Sequence, residues 1–197
     1  MKRQRVHLWV LSSGEELGTV LLLSLCFLLG AGAGAWCCGR TNPAGTNALR
    51  QWLDGYLAVA KTGQTQWLKL LWSAVRFPLL VTLLQWTALG VLLVPLTLGV
   101  RGFLFAYSVS LFVRTYAWRG LGAALLLFGP FGMVELTALF LLGTAAFLRA
   151  RSIGTEKQCS GPTLLAWGLC WCGVLFGALV QVLLSGWTAR TLAALLR

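Results

Sequence analysis

The sequence predicts an all-α, polytopic integral membrane protein with about five hydrophobic helical segments and an amphipathic interfacial helical region after the first. Of its 197 residues, 58% are hydrophobic and only 11% are charged, and the mean hydropathy is +0.79. Soluble domains carry about a quarter charged residues. Several apolar runs also approach the roughly 20 residues that a helix needs to cross the hydrocarbon core.

The excess of basic residues indicates contact with membrane lipids. The chain has 16 Lys and Arg against 5 Asp and Glu, a formal net charge of +11. The basic residues are scattered at the ends of apolar runs, where they meet anionic headgroups, and no nucleic-acid partner is expected. Their numbers on the two sides do not select an orientation. We place the amino terminus inside because the first helix usually dominates.

Residues 19–36 are predicted to be the first transmembrane helix, after a cytoplasmic tail over residues 1–18. The small residues near the end of this run look like a signal-peptide cleavage site. The polar lead is long, however, and contains two glutamates, and the run is nearly a full span, which favours an uncleaved helix. Gly30 and Gly34 lie four residues apart and offer a face for close packing of another helix.

Residues 37–76 are predicted to form an amphipathic interfacial loop with two short helices. Apolar side chains recur there at three- and four-residue spacing, with charges between them. The first stripe is Leu49, Trp52, Leu53, Tyr56 and Leu57, and the second is Trp67, Leu68, Leu71, Trp72 and Val75. Neither helix is apolar enough to span, so we expect both to lie in the headgroup layer or to cap the bundle.

Residues 77–187 are predicted to be the helical membrane core, followed by a tail over residues 188–197. The last span of the core is 164–187. Gly173 and Gly177 repeat there the four-residue spacing of the first helix, which predicts a second face for close helix packing.

The start of the core allows two interpretations. Its first span is 77–100, bent or broken at Pro95 and closed by Arg101. The following run, 102–113, is about 12 residues long, too short for an ordinary span. It either crosses with Arg101 and Arg114 snorkelling in opposite directions, or it re-enters from one side.

Glu135 is the only acidic residue inside a long apolar stretch, the predicted span 120–148. A carboxylate at the centre of a bilayer costs roughly 2.5 to 3.5 kcal/mol, so it is kept where it faces protein or trapped water. The interruption at Gly129 and Pro130, with Gly132, lies just before it. These four residues are candidates for function or helix packing. The alternative is a Glu that snorkels or stays protonated, with no task beyond packing.

No catalytic set is visible, so no enzyme, cofactor or metal site is expected. The single histidine, His7, lies in the tail, which removes Ser–His catalysis inside the membrane and zinc sites of the His-Glu-x-x-His kind. The other acidic residues are outside the spans, and no glycine-rich phosphate loop occurs. Neighbouring Cys37 and Cys38 are either redox-active or, as we expect, small apolar residues tolerated beside lipid.

The stretch 68–151 resembles the core of the stage II sporulation protein M family, multi-pass proteins of endospore-forming bacteria. An apolar span with a late proline leads into Val100-Arg-Gly-Phe, similar to a short family segment that begins with a basic residue and Gly. Trp118-Arg-Gly-Leu resembles the start of the next family helix. Phe128-Gly-Pro-Phe-Gly sits where relatives have a proline-containing break. Many relatives have a polar residue after that proline, whereas this chain has Phe131.

The resemblance implies a non-catalytic role. Members of the family anchor and localise two peptidoglycan hydrolases, the stage II sporulation proteins D and P, at the septum during engulfment of the forespore. We therefore expect a multi-pass scaffold in the plasma membrane, at the sporulation septum, with oligomer formation left open. The alternative is a small permease or transporter subunit with Glu135 and the Pro130 break on its transport path.

Overall fold

The computed structural model describes residues 14–40, 47–51, 53–55, 67–154 and 164–196. These ranges are helical apart from short turns, and they contain no strand, which confirms the prediction of an all-α chain. The long helices are α1 (Gly14–Gly39), α2 (Trp67–Leu84), α3 (Gly90–Gly154) and α4 (Leu164–Leu196). Residues 47–51 and 53–55 add short helical turns between α1 and α2.

The long helix α3 is a hairpin of two arms. Ala117 has φ 51° and ψ −131°, which is not helical, and the chain reverses there. We call residues 90–116 the first arm and residues 118–154 the second arm. The ring of Phe128 contacts the rings of Phe112 and Phe105, with centroids 6.2 and 6.0 Å apart. Along the chain, Gly90 lies beside Ala150, Arg101 bonds to Glu135 and Phe112 contacts Phe128. The partners run backwards as the first arm runs forwards, so the two arms are antiparallel.

Helix α1 packs on the first arm through glycines. A Cβ added at Gly30 would overlap the carbonyl oxygen of Gly99, and one added at Gly34 would overlap that of Phe103. A Cβ at Gly102 would in turn overlap the carbonyl oxygen of Phe27. Because these residues have no side chains, the two backbones can touch, and the order of the contacts makes the helices parallel.

The end of α1 is held by an arginine from the first arm. Arg114 Nη1 donates a hydrogen bond of 2.6 Å to the carbonyl oxygen of Cys38. The last carbonyl groups of a helix have no hydrogen-bond donor within the helix, and they carry partial negative charge. The Arg114 guanidinium group supplies both a donor and a positive charge. Arg114 therefore fixes the position of α1 along the first arm.

A tight turn over residues 85–89 separates α2 from the first arm. The hydroxyl of Thr87 donates to the carbonyl oxygen of Leu84, at 3.0 Å, and the backbone N–H of Gly90 donates to the carbonyl oxygen of Thr87, at 2.9 Å. A Cβ at Gly90 would overlap the Leu84 carbonyl and approach Ala150. Only a glycine lets the chain fold back this closely.

Two groups of buried apolar side chains form the core. The larger group joins α1, α2 and both arms of α3, and consists of Leu23, Val81, Val94, Leu98, Leu139, Leu142 and Ala146. The smaller group lies near the Ala117 reversal and consists of Leu53, Phe112, Ala123, Ala124 and Leu192. Leu53 is part of the predicted interfacial stripe, and it caps this end of the bundle. Most of that stripe lies outside the described residues.

The predicted span 77–100 is wrong, because the chain turns at residues 85–89 within it. Residues 67–76, expected at the interface, belong to the same helix as residues 77–84. The run 102–113 is neither a span of its own nor re-entrant, since it continues the first arm. Likewise, the expected tail over residues 188–197 is mostly helix, as α4 ends at Leu196.

Three helices of the described chain are long and apolar enough to cross a membrane. They are Leu17–Gly39, Gly90–Gly129 and Gly132–Arg151. Val75–Leu84 and Cys170–Val180 are shorter apolar stretches. The chain thus has the composition of a membrane protein, and the number of five membrane segments stays a prediction.

We expect Ala117→Gly to stabilise the protein. A left-handed φ is strained for alanine, and glycine reaches it without a Cβ clash, so the free energy of unfolding should rise by about 1 kcal/mol. The matched control is Ala35→Gly in the exposed, helical part of α1, which should lower it by about 1 kcal/mol. Unfolding in detergent micelles measures both changes. Equal losses at the two positions would contradict a strained reversal at Ala117.

We also expect Gly30→Ala to loosen the contact between α1 and the first arm. The added methyl group would overlap the backbone of Gly99, and overpacking of this kind costs about 1 to 3 kcal/mol. Gly32→Ala is the control, because a Cβ there meets nothing within 4 Å. It should be neutral or slightly stabilising. Thermal unfolding in detergent compares the two variants, and a similar loss in both would refute the close contact.

Candidate functional site

An ion pair joins the two arms of α3 near their middle. Arg101 Nη2 donates to Glu135 Oε1 at 2.6 Å, and the two side chains are only 19% and 17% exposed. Arg101 comes from the first arm and Glu135 from the second. The single acid that the sequence places in an apolar stretch therefore has a counter-charge within the protein.

Helix α2 supplies an aromatic ring to this pair. The guanidinium carbon of Arg101 lies 5.0 Å from the centre of the Phe77 ring. The guanidinium carbon of Arg76 lies at the same distance from that ring. Such contacts of a cation with an aromatic face are worth about 0.5 to 2 kcal/mol, the larger value when water is excluded.

The charges of this cluster do not balance. Arg76 also attracts Glu135 electrostatically, so Arg76, Arg101 and Glu135 act as one group. Two guanidinium groups and one carboxylate leave a surplus of one positive charge when all three are ionised. The Nε atom of Arg101 is buried and has no hydrogen-bond partner among the described residues. We call these three charged residues with Phe77 the charge cluster.

The predicted break before Glu135 does not interrupt the helix. Backbone residues 129–132 stay helical, and Ala117 is the non-helical position recorded within α3. Gly129 lies against Leu125 of its own helix, whereas Gly132 faces the Phe105 ring of the first arm at 3.8 Å. The side chain of Pro130 lies outside the described part of the structure.

The two predicted glycine pairs are placed differently. Gly30 and Gly34 lie against the backbone of Gly99 and Phe103, in the contact between α1 and the first arm. A Cβ at Gly173 would meet nothing within 4 Å. A Cβ at Gly177 would meet Val134, next to Glu135, at an ordinary 3.6 Å. The spacing in α4 thus does not mark a close backbone contact among the described residues.

Sequence reasoning missed three members of the charge cluster. The sequence predicts Arg101 at the end of a span, Arg76 in an interfacial helix, and Phe77 as the first residue of the core. One signal was available: Arg101 and Glu135 are single opposite charges in successive apolar runs. Opposite charges at bilayer depth usually pair with each other.

Other chemistry-bearing groups are sparse in the described chain. Within those ranges no group of three or more His, Cys, Asp or Glu side chains could hold a metal ion. Cys38 is buried at the end of α1, whereas Cys37 and Cys172 are exposed. The charge cluster is therefore the feature from which a function can be argued.

Comparison with known proteins identifies no relative. No family model, curated protein or solved structure matches the chain.

We expect Arg101 and Glu135 to be energetically coupled. Glu135→Gln leaves Arg101 without its counter-charge, which should lower the free energy of unfolding by about 3 to 5 kcal/mol, and Arg101→Gln should cost a similar amount. The double variant with both substitutions removes both charges, so it should lose much less than the sum. A double-mutant cycle from unfolding curves in detergent measures the coupling. Additive losses would mean that the pair contributes no interaction.

Proposed function

We propose that the chain is a non-catalytic membrane scaffold that anchors other envelope proteins. The observation that carries this proposal is the ion pair between Arg101 and Glu135. In this ion pair, Glu135 of the second arm of α3 is bound by Arg101 of the first arm. A charge used in this way serves the internal arrangement of the bundle, as expected of a static platform.

The close contact between α1 and the first arm supports the same proposal. Gly30, Gly34 and Gly102 bring two long helices into backbone contact over more than one turn. Tight packing through small residues produces a rigid unit in lipid. A scaffold needs such a unit, because it must present a fixed surface to its partners.

The resemblance to the stage II sporulation protein M family suggests the setting. On that basis the partners are peptidoglycan hydrolases of the stage II sporulation D and P type. The scaffold would hold them in the plasma membrane at the sporulation septum during engulfment. The choice of these partners depends on the motifs between residues 68 and 151. The experiment below tests binding to these two hydrolases.

A bacterial two-hybrid assay between the full chain and each hydrolase with its native anchor tests the proposal. We expect a signal with at least one hydrolase. It should fall several-fold with Gly30→Leu, which disrupts the α1 contact, and persist with Gly32→Leu, whose position is open. Immunoblots must show matched protein levels. Absence of a signal with both hydrolases would argue against the sporulation scaffold.

The variant with both Arg101→Gln and Glu135→Gln separates the scaffold from the permease alternative. It keeps the shape of the site and removes both charges. A scaffold should keep partner binding and engulfment with this variant. A permease subunit that uses Glu135 as a transport group should lose function at full abundance, and that result would favour transport.

A further inference from the structure

The outward face of α2 carries an exposed arginine, Arg76. Pro78 and Val81 of α2 are buried, as is Gln85 at the start of the turn that follows, so this side of α2 faces the core. The opposite side is exposed along helical spacing, and its residues are Trp72, Arg76, Leu79 and Leu83. We call these four residues the outer stripe of α2.

Arg76 lies at the depth of the ion pair. It shares the Phe77 ring with Arg101, which lies near the middle of the first arm, within an apolar segment long enough to cross a membrane. Its guanidinium group is exposed and forms no ion pair with any described residue. An arginine at such depth is costly unless an anion or water reaches it.

The position of the Arg76 side chain matters here. An arginine that snorkels extends along its helix towards the headgroups. Arg76 instead stacks on the neighbouring Phe77 ring, with the leucines of the outer stripe on one side and Trp72 on the other. Arg76 thus places an exposed positive charge within an otherwise apolar stripe.

We propose that the outer stripe of α2 binds a transmembrane helix of a partner protein that carries a carboxylate at the same depth. The carboxylate would accept hydrogen bonds from Arg76 and balance the charge cluster. Apolar residues of the partner helix would pack on Leu79 and Leu83. This inference rests on the proposed scaffold function and specifies how such a scaffold holds an anchored partner.

A designed peptide tests the inference without any natural partner. The probe is a leucine-rich transmembrane helix of about 22 residues with lysines at its ends and one glutamate at its centre. A matched peptide has glutamine at that position. Full-length protein, labelled at its amino terminus, is reconstituted in neutral phosphatidylcholine vesicles, and energy transfer to labelled peptide gives the affinity.

We expect the glutamate peptide to bind about tenfold more tightly than the glutamine peptide, as for one charge-assisted hydrogen bond between helices in lipid. Arg76→Gln should remove the difference, and Arg76→Lys should retain part of it. Arg119→Gln, at an exposed arginine near the hairpin reversal, should leave the difference unchanged.

Two outcomes would overturn the inference. One is a glutamate preference that persists in Arg76→Gln. The other is equal binding of the two peptides. An Arg76-dependent enrichment of phosphatidylglycerol around the protein, measured in a second set of vesicles that contain this lipid, would then identify Arg76 as a lipid anchor. The assay contains no hydrolase, so its failure leaves the two-hybrid result standing, and failure of the two-hybrid assay leaves the peptide result standing.

Discussion

The ion pair between Arg101 and Glu135 is the interaction on which the arrangement of the helices depends. Taking either charge out of water is costly, and their attraction offsets that cost only when they meet in good geometry. One charge stands near the middle of each arm of α3, so the arms are held in the register that brings them to 2.6 Å. A slip of one turn would leave both charges against apolar side chains. The pair therefore acts as a device for register more than as a source of net stability.

The other contacts follow from that register. With the arms aligned, Phe128 meets Phe105 and Phe112, and the reversal must be made within a few residues, which forces Ala117 into a left-handed φ. Helix α1 then packs on a different face of the first arm, at Gly99, Gly102 and Phe103. Backbone contact at Gly30 is possible because the facing residue is also a glycine. Small residues thus set the distance between helices that the charges have aligned.

Composition and periodicity are sufficient to predict an all-helical chain. In lipid, long apolar runs must satisfy their backbone hydrogen bonds internally, and a helix does this within a single run. The helix boundaries were harder to predict. The local sequence predicts that Arg101 ends a span, because a charged residue normally marks the limit of an apolar run. The carboxylate that pairs with Arg101 lies 34 residues further along the chain, so local sequence does not reveal it. The glycine pairs show the same limit. A four-residue spacing indicates a helix face without side chains, but it does not show whether another helix packs there. Gly34 contacts the first arm, whereas Gly173 contacts no other helix in the described ranges.

The distribution of charge also bears on the choice between a scaffold and a permease subunit. Transport sites in broken helices use unwound backbone and helix ends to hold a substrate. In the described part of α3, the backbone stays helical on both sides of Glu135, and the carboxylate is engaged by Arg101. The surplus charge of the cluster lies on Arg76, which faces outward from α2. Because Glu135 already pairs with Arg101, an anionic group beside the protein would balance this remaining charge. That geometry favours association with another helix over passage of a substrate through the bundle.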